Sequence, residues 1–171
     1  MDFQREFDLD PNLVYLNSGS HSITPHCVVE TVVREVRAYE RNPSAALFGA
    51  WERLWLVQEQ LASFFNAQPA DLFLRPNVTE ALNVFLLTCP LPRGSEILIS
   101  DMEYGAIANI ARHRAERDGL KLRTFALPLD PAELTALSED DLVSLITREL
   151  ATETSMLVLS HVITGHGLTV P

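Results

Sequence analysis

The 171-residue sequence has little positive charge, since 13 lysine and arginine residues stand against 23 acidic ones and the net charge is −10. Nucleic-acid backbones and anionic membrane surfaces would repel such a chain, so neither is an expected partner. Cysteine is also scarce. Cys27 and Cys89 show no metal-ligand spacing, and two cysteines imply no disulfide framework, so a reducing cytoplasm is the expected location.

Long apolar runs and glycine-rich nucleotide motifs are missing as well. The stretch "LNVFLLTCPL" is interrupted by Thr88 and Pro90, so it is too short to span a bilayer. The first residues, "MDFQREFDLD", lack the pattern of a signal peptide. The sequence contains neither G-x-G-x-x-G nor G-x-x-x-x-G-K-[ST], so dinucleotide binding and Walker-type nucleotide binding lose their main support. The composition, 47% hydrophobic and 21% charged, still predicts a soluble globular protein.

What is present is an ordered series of helices and strands. Helices are predicted from Pro25 to about Tyr39 and from about Ala50 to Phe65, separated by "RNPSAALFG". After these helices, strands are predicted at 71–75, 95–100, 120–127 and 155–161, and they alternate with helices at 78–87, 104–117 and 138–150. This alternation indicates an α/β fold with a mainly parallel sheet and crossover helices.

Two regions are expected along the chain: an N-terminal segment with helices over 1–66, and a partial α/β domain over 67–171. The series stops at "GLTVP", after a strand and its loop and without a closing helix. Because a parallel sheet needs cover on both faces, the sequence predicts a truncated or split part of a longer protein.

Polar residues follow three of the predicted strands. The loops are "RPNVTE" (75–80), "SDMEYGA" (100–106) and "SHVITGHG" (160–167). In open α/β sheets, ligands bind beyond the carboxyl ends of the strands, and parallel strands would bring all three loops to one edge. That edge is the expected functional site.

Each loop has a structural and a functional interpretation. Asn77 and Glu80 have the spacing of a capping box, yet a helix start with a hydroxyl at Thr79 would also hold a phosphate, and both roles are compatible. Tyr104 either stacks on a flat heteroaromatic ligand or fills space between layers. His161 and His166 lack a third ligand with suitable spacing, so no metal site is predicted.

Taken together, the loops resemble those of the class V aminotransferase family, pyridoxal-phosphate enzymes of the aspartate-aminotransferase fold. The likeness is greatest to the isopenicillin-N-epimerase-like and cysteine-desulfurase-like branch. It is carried by "YLNSGSHSITP" (15–25), "RPNVTEALN" (75–83), "DMEYGAI" (101–107) and "SHVITGHGLTVP" (160–171), with "NPSAALFG" (42–49) in support. It covers almost all of this chain, but only the N-terminal part of a family member.

This resemblance implies the binding residues for pyridoxal 5'-phosphate. Val78 and Thr79 would hold the phosphate while Asn77 supports the turn, Tyr104 would stack on the pyridine ring, and Thr164 would face its phenolic oxygen. The substrate side would be lined by Asn17, Ser18, Gly19 and Ser20.

The same resemblance implies that no catalytic residue lies in this chain. The Schiff-base lysine and the acidic partner of the pyridine nitrogen are expected beyond residue 171. Lys121 is the only lysine, and it begins a predicted strand at the opposite edge from the loops. Neither Cys27 nor Cys89 matches the catalytic cysteine of desulfurases, so the chain alone is expected to be inactive.

The expected function is therefore the N-terminal portion of an enzyme that acts at the α-carbon of an amino acid or amine. Transamination, epimerisation and desulfuration or another elimination remain open, and any complete form is expected to be a homodimer. The alternative is a non-catalytic α/β module that binds a phosphorylated ligand or a complementing partner chain.

Overall fold

The structure is a computed structural model that describes residues 3–128, 130, 133, 136–165 and 167–171. The chain divides into two compact units, Met1–Leu72 and Phe73–Pro171. None of the helices in these described ranges is long and apolar enough to cross a lipid bilayer.

The first unit contains three helices: α1 (His26–Arg41), α2 (Pro43–Phe48) and α3 (Ala50–Phe65). The two predicted helices are confirmed, but the segment between them is itself a short helix. Asn42 caps α2 by accepting a hydrogen bond from the Ala45 N–H at 3.1 Å. Pro25 is the N-cap residue of α1 and has extended backbone, rather than being the first helical residue as predicted.

A histidine ties the N-terminal segment of this unit to the start of α1. His26 Nδ1 lies 2.9 Å from Asp8 Oδ2, and its Nε2 lies 3.0 Å from the Arg5 carbonyl oxygen. A carboxylate and a carbonyl only accept hydrogen bonds, so both ring nitrogens must carry protons for both bonds to form. The hydrogen bond to Asp8 raises the pKa of His26 above its ordinary value of 6.5.

The contribution of this contact should depend on pH in a defined direction. Because the folded-state pKa of His26 is raised, the stabilisation is complete below pH 6.5 and is lost as pH rises through the elevated value. Asp8→Asn should lower the pKa of His26 in an NMR titration. Asp10→Asn is the matched control, since Asp10 bonds to Asn12 instead. A His26 pKa that Asp8→Asn leaves in place would refute this assignment.

The second unit is built on a parallel sheet. Its strands are β1 (Glu96–Ser100), β2 (Lys121–Phe125) and β3 (Thr154–Val158), in the order β2-β1-β3. The helices with both ends among the described residues are α4 (Val78–Thr88), α5 (Gly105–Asp118) and α6 (Glu139–Arg148). All five residues of the central strand β1 are buried, as its unbroken apolar run predicts for a strand between two others.

Side chains alternate between the two faces of β1 and enter two hydrophobic clusters. Ile97 and Ile99 pack with residues of α4 and α5, including Leu86 and Ala111. Leu98 packs on the opposite face in a cluster that draws on β2, α6 and the segment after β3: Phe125, Leu127, Leu142, Ile146, Ile163 and Val170. The predicted α/β architecture with parallel strands is confirmed.

The predicted strand at 71–75 is wrong. Pro69–Asp71 forms a 3-10 turn, and the residues after it pair with none of the described strands. Phe73 and Leu74 remain 58% and 42% exposed. A β-strand forms only where a neighbour takes up its N–H and C=O groups, and the described part of the sheet places no strand beside this segment.

Candidate functional site

The start of α4 presents hydrogen-bond donors with no acceptor among the described residues. Asn77 has extended backbone, and its Oδ1 accepts the Glu80 N–H at 2.9 Å. The N–H groups of Val78 and Thr79 and the Thr79 hydroxyl bond to none of the described residues. Since the positive end of the helix dipole lies here, this is a suitable position for an anion such as phosphate.

Only half of the predicted capping box forms. The Glu80 side chain does not return to Asn77 but forms an ion pair with Arg75, whose guanidinium carbon lies 5.2 Å from the centre of the Phe73 ring. Arg75 thereby offsets a negative charge in the first turn of α4 that would otherwise repel an anion. Arg75 was not among the predicted site residues, although its opposite charge and closeness to Glu80 in the chain are a signal for this ion pair.

Two arginines of α5 join its C-terminal end to that of α4. Arg114 donates to the carbonyl oxygens of Leu86 and Cys89, and Arg117 donates to that of Leu87. The C-terminal ends of α4 and α5 are therefore side by side. The helix α5 follows β1 in the chain and therefore begins beyond the carboxyl end of that strand.

The loop between β1 and α5 is held firmly to the end of β2. The Asp101 N–H donates to the Phe125 carbonyl at 2.8 Å, and Asp101 Oδ1 accepts the Leu127 N–H at 3.0 Å. Tyr104 is the N-cap residue of α5 and is 54% exposed, so its ring does not fill space between layers of this unit. The side chain is therefore accessible to a ligand.

The segment after β3 folds back as a tight turn. Val162 and Thr169 form an antiparallel bridge, and the Ile163 N–H donates to the Leu168 carbonyl at 2.8 Å. Gly167 closes the turn at φ +68°, a left-handed conformation that favours glycine. Buried Ile163 anchors the turn, and the adjoining Thr164 is exposed.

Glu103 joins the loops that follow β1 and β3. Its carboxylate accepts hydrogen bonds from the Ser160 N–H at 2.7 Å, from the Ser160 hydroxyl at 2.7 Å and from the Ser100 hydroxyl at 3.2 Å. A methyl group at Gly165 would lie 3.4 Å from Met102 Cε, so the loops also meet there. The structure therefore brings the residues around Tyr104 and Thr164 together, as the parallel topology predicted.

The remaining predicted residues are described within their own units. In the first unit, Asn17, Ser18, Gly19 and Ser20 are exposed, and the Asn17 carbonyl accepts the N–H groups of Ser20 and His21 in a turn. In the second unit, Lys121 begins β2 and is therefore at the opposite edge from the loops, as predicted. Its Nζ lies 3.9 Å from Glu153.

Neither the cysteines nor the histidines form a metal site in the described ranges. Cys27 is exposed, and Cys89 follows α4 and is partly buried. No group of three or more His, Cys, Asp and Glu side chains suitable for a metal occurs among the residues that the structure describes. His161 is exposed, whereas His166 lies outside the described residues.

The fold and the loop arrangement define the class of this protein: an α/β unit of the pyridoxal-phosphate-dependent transferase fold. A solved structure of a C-DES mutant, with glycine covalently linked to the PLP cofactor, has the same fold with a TM-score of 0.85 and 24% identity. The alignment covers 98% of this chain and 43% of C-DES. Residues 14–171 match the family model "Aminotransferase class-V", so the chain belongs to this pyridoxal-phosphate-dependent family.

Curated relatives agree with the predicted family branch. Isopenicillin N epimerase of Amycolatopsis lactamdurans is 32% identical over 98% of this chain, and that of Streptomyces clavuligerus is 34% identical over 95%. A probable cysteine desulfurase of Methanothermobacter thermautotrophicus is 24% identical over 60% of this chain and 27% of the relative. The chain spans 42% and 40% of the length of the two epimerases.

Proposed function

We propose that this chain supplies the phosphate cradle and the ring-binding side of a pyridoxal-phosphate enzyme that acts at the α-carbon of an amino acid or amine. The observation that carries the proposal is the contact, through Glu103, between the loop that ends in the exposed Tyr104 and the loop that leads to the exposed Thr164. The unpaired donors at the start of α4 support it, because they suit the phosphate of the same cofactor.

The residues present fit the chemistry of this cofactor. The N–H groups of Val78 and Thr79 and the Thr79 hydroxyl would bind the phosphate, with Asn77 holding the first turn of α4 in place. The Tyr104 ring would stack on the pyridine ring, and Thr164 would face its phenolic oxygen. When bound, the cofactor supplies the electron sink for reactions at the substrate's α-carbon.

Among the reactions of the family, we propose epimerisation rather than desulfuration. Support comes from the epimerase relatives, which are more similar and cover more of this chain than the desulfurase does. Because Lys121 lies at the wrong edge, we place the lysine that bonds the cofactor outside these 171 residues. We also propose that Asn17 to Ser20 line the substrate side, and that the active protein is a cytoplasmic homodimer.

The role of Thr79 can be tested by cofactor binding. In the protein at its natural length, Thr79→Ala should reduce the free energy of pyridoxal-phosphate binding by about 1–2 kcal/mol. This is the range for a lost hydrogen bond to a charged group. Thr79→Ser keeps the hydroxyl and should retain most of the affinity. Thr88→Ala is the matched control, because its hydroxyl bonds to the Val84 carbonyl at the far end of α4.

The outcomes of this titration separate the two candidate functions. Unchanged affinity in Thr79→Ala would remove Thr79 from the site. A wild-type protein that binds inorganic phosphate but not pyridoxal phosphate would reject the proposal in favour of a module for other phosphorylated ligands.

Tyr104 is tested by separating its ring from its hydroxyl. Tyr104→Ala should alter the absorption spectrum of bound pyridoxal phosphate and weaken its binding several-fold, since aromatic stacking contributes roughly 0.5–1.5 kcal/mol. Tyr104→Phe keeps the ring and should change little. Large and equal losses in both variants would instead assign the contact to the hydroxyl.

A further inference from the structure

We propose that Glu103 is a positioning residue that holds the two walls of the cofactor site together. It fixes the loop ending in Tyr104 against the loop leading to Thr164, and so sets the spacing between the ring-stacking surface and the polar side chain that faces it. This inference rests on the proposed function and assigns a role to a side chain that would not itself need to touch the cofactor.

The contacts of Glu103 occur where the sheet stops joining the two segments. The register of β1 with β3 ends at the pair Ile99 and Val158. Beyond that pair, Ser100 and Ser160 are linked only through the Glu103 carboxylate among the described hydrogen bonds. The carboxylate therefore continues the connection between the strands up to the loops that carry the site.

The geometry of this contact suits the acceptor oxygens of a carboxylate. Every partner is a donor: the Ser160 N–H and the Ser100 hydroxyl approach Oε1, and the Ser160 hydroxyl approaches Oε2. An ionised carboxylate offers acceptor sites at both oxygens and so can satisfy all three. Hydrogen bonds to a charged group are stronger than those between neutral groups, which suits a contact that must hold loop geometry.

A second carboxylate holds the same loop from the other side. Asp101 bonds to the backbone at the end of β2, through Phe125 and Leu127. With Asp101 fixed toward β2 and Glu103 fixed toward β3, the chain enters α5 at Tyr104 with little freedom. Loss of the Glu103 contact would release one of these two attachments while leaving the sheet itself intact.

The test uses cofactor affinity and the circular dichroism of the bound cofactor, which reports how rigidly it is held. In the protein at its natural length, Glu103→Ala should weaken the affinity for pyridoxal phosphate about tenfold, because hydrogen bonds to a charged group are lost. It should also reduce the induced dichroism. Glu103→Gln keeps the shape and one acceptor oxygen, so it should retain most of both signals.

Ser160 and Glu116 complete the design. Ser160→Ala should cause a smaller loss of affinity for pyridoxal phosphate. The double variant Glu103→Ala/Ser160→Ala should bind the cofactor as well as Glu103→Ala alone, because both substitutions remove the same hydrogen bond. Glu116→Ala is the control on α5, since this exposed carboxylate has no partner among the described residues. It should leave affinity and dichroism unchanged.

Failure of this inference differs from failure of the proposed function. Wild-type affinity and dichroism in Glu103→Ala would overturn the positioning role, as would additive losses in the double variant. A wild-type protein that does not bind pyridoxal phosphate would overturn the proposed function and this inference with it. If Glu103→Ala does not fold, Ser160→Ala carries the test, and wild-type binding and dichroism in that variant overturn the inference.

Discussion

Replacing Arg114 with alanine should lower the free energy of unfolding by about 3 kcal/mol, the scale expected when one member of a buried charged network is removed. Arg114 is 5% exposed and donates to the carbonyl oxygens of Leu86 and Cys89, while its Nε lies 2.5 Å from Asp118. Alanine would leave two carbonyls at the end of α4 without their donor and a cavity between α4 and α5.

Arg112→Ala is the matched control for this substitution. Arg112 lies on the same helix and is exposed, and among the described residues its side chain bonds to Asn109 alone, one turn earlier. Its loss should change the free energy of unfolding by less than about 0.5 kcal/mol in a denaturant titration. Equal effects from the two variants would show that Arg114 contributes no more than a surface arginine.

The Arg114 variant also bears on the site. Because Arg114 aligns the ends of α4 and α5, its loss should let the start of α4 move relative to Tyr104. Cofactor affinity should therefore fall in Arg114→Ala under conditions where the protein remains folded. The same affinity in both arginine variants would show that the alignment of the helices is maintained by their apolar contacts alone.

Glu96→Ala should lower the free energy of unfolding by about 2 kcal/mol, since several hydrogen bonds to one buried carboxylate are lost. Glu96 is 4% exposed at the start of the central strand. Its carboxylate accepts from Arg123 of β2 at 2.9 and 3.1 Å and from the Thr154 hydroxyl of β3 at 2.6 Å. The loss is limited because Arg123 keeps its second partner, Glu149.

The same carboxylate should make stability depend on acid pH. The hydrogen bond from Arg123 is the main cause that lowers the pKa of Glu96 below its ordinary value of 4.5. Its contribution is therefore present above pH 4.5 and is lost as pH falls through the lowered value. The difference in unfolding free energy between wild type and Glu96→Gln should be largest near neutral pH and shrink under acid conditions.

Glu153→Ala is the control for the Glu96 experiments. Glu153 is exposed, and its carboxylate lies 3.9 Å from Lys121, so the ion pair is weakly held. Its removal should change stability by less than about 0.5 kcal/mol, as for other exposed ion pairs. A Glu96→Gln variant whose stability follows the wild-type curve at every pH would contradict the role of the buried carboxylate.

Much of the candidate site could be predicted from local sequence. The N-cap at Asn77, the strand β1 and the entry of α5 at Tyr104 each depend on residues within a few positions of one another, so pattern and spacing indicate them. The order of parallel strands and helices then predicted that the loops share one edge. The family assignment followed from these motifs in sequence, and the comparisons confirmed it.

Contacts between distant residues were not accessible in this way. The predicted strand at 71–75 failed because strand formation depends on a neighbour, which local composition does not specify. Glu80 was expected to complete a capping box, but it pairs with Arg75. Glu103 was recognised as a polar residue after a strand, but its partner Ser160 is 57 positions away.

The sequence by itself determined the class of this protein: most of its helices, the three parallel strands, the residues that follow them, and hence the pyridoxal-phosphate family to which it belongs. Only the tertiary structure decided which side chains hold these parts in register. Arg114 on the end of α4, Glu96 across three strands and Glu103 between two loops each bond to partners far along the chain. The physical reason is that hydrophobic periodicity records burial over a few residues, whereas hydrogen bonds between elements depend on how the folded layers meet.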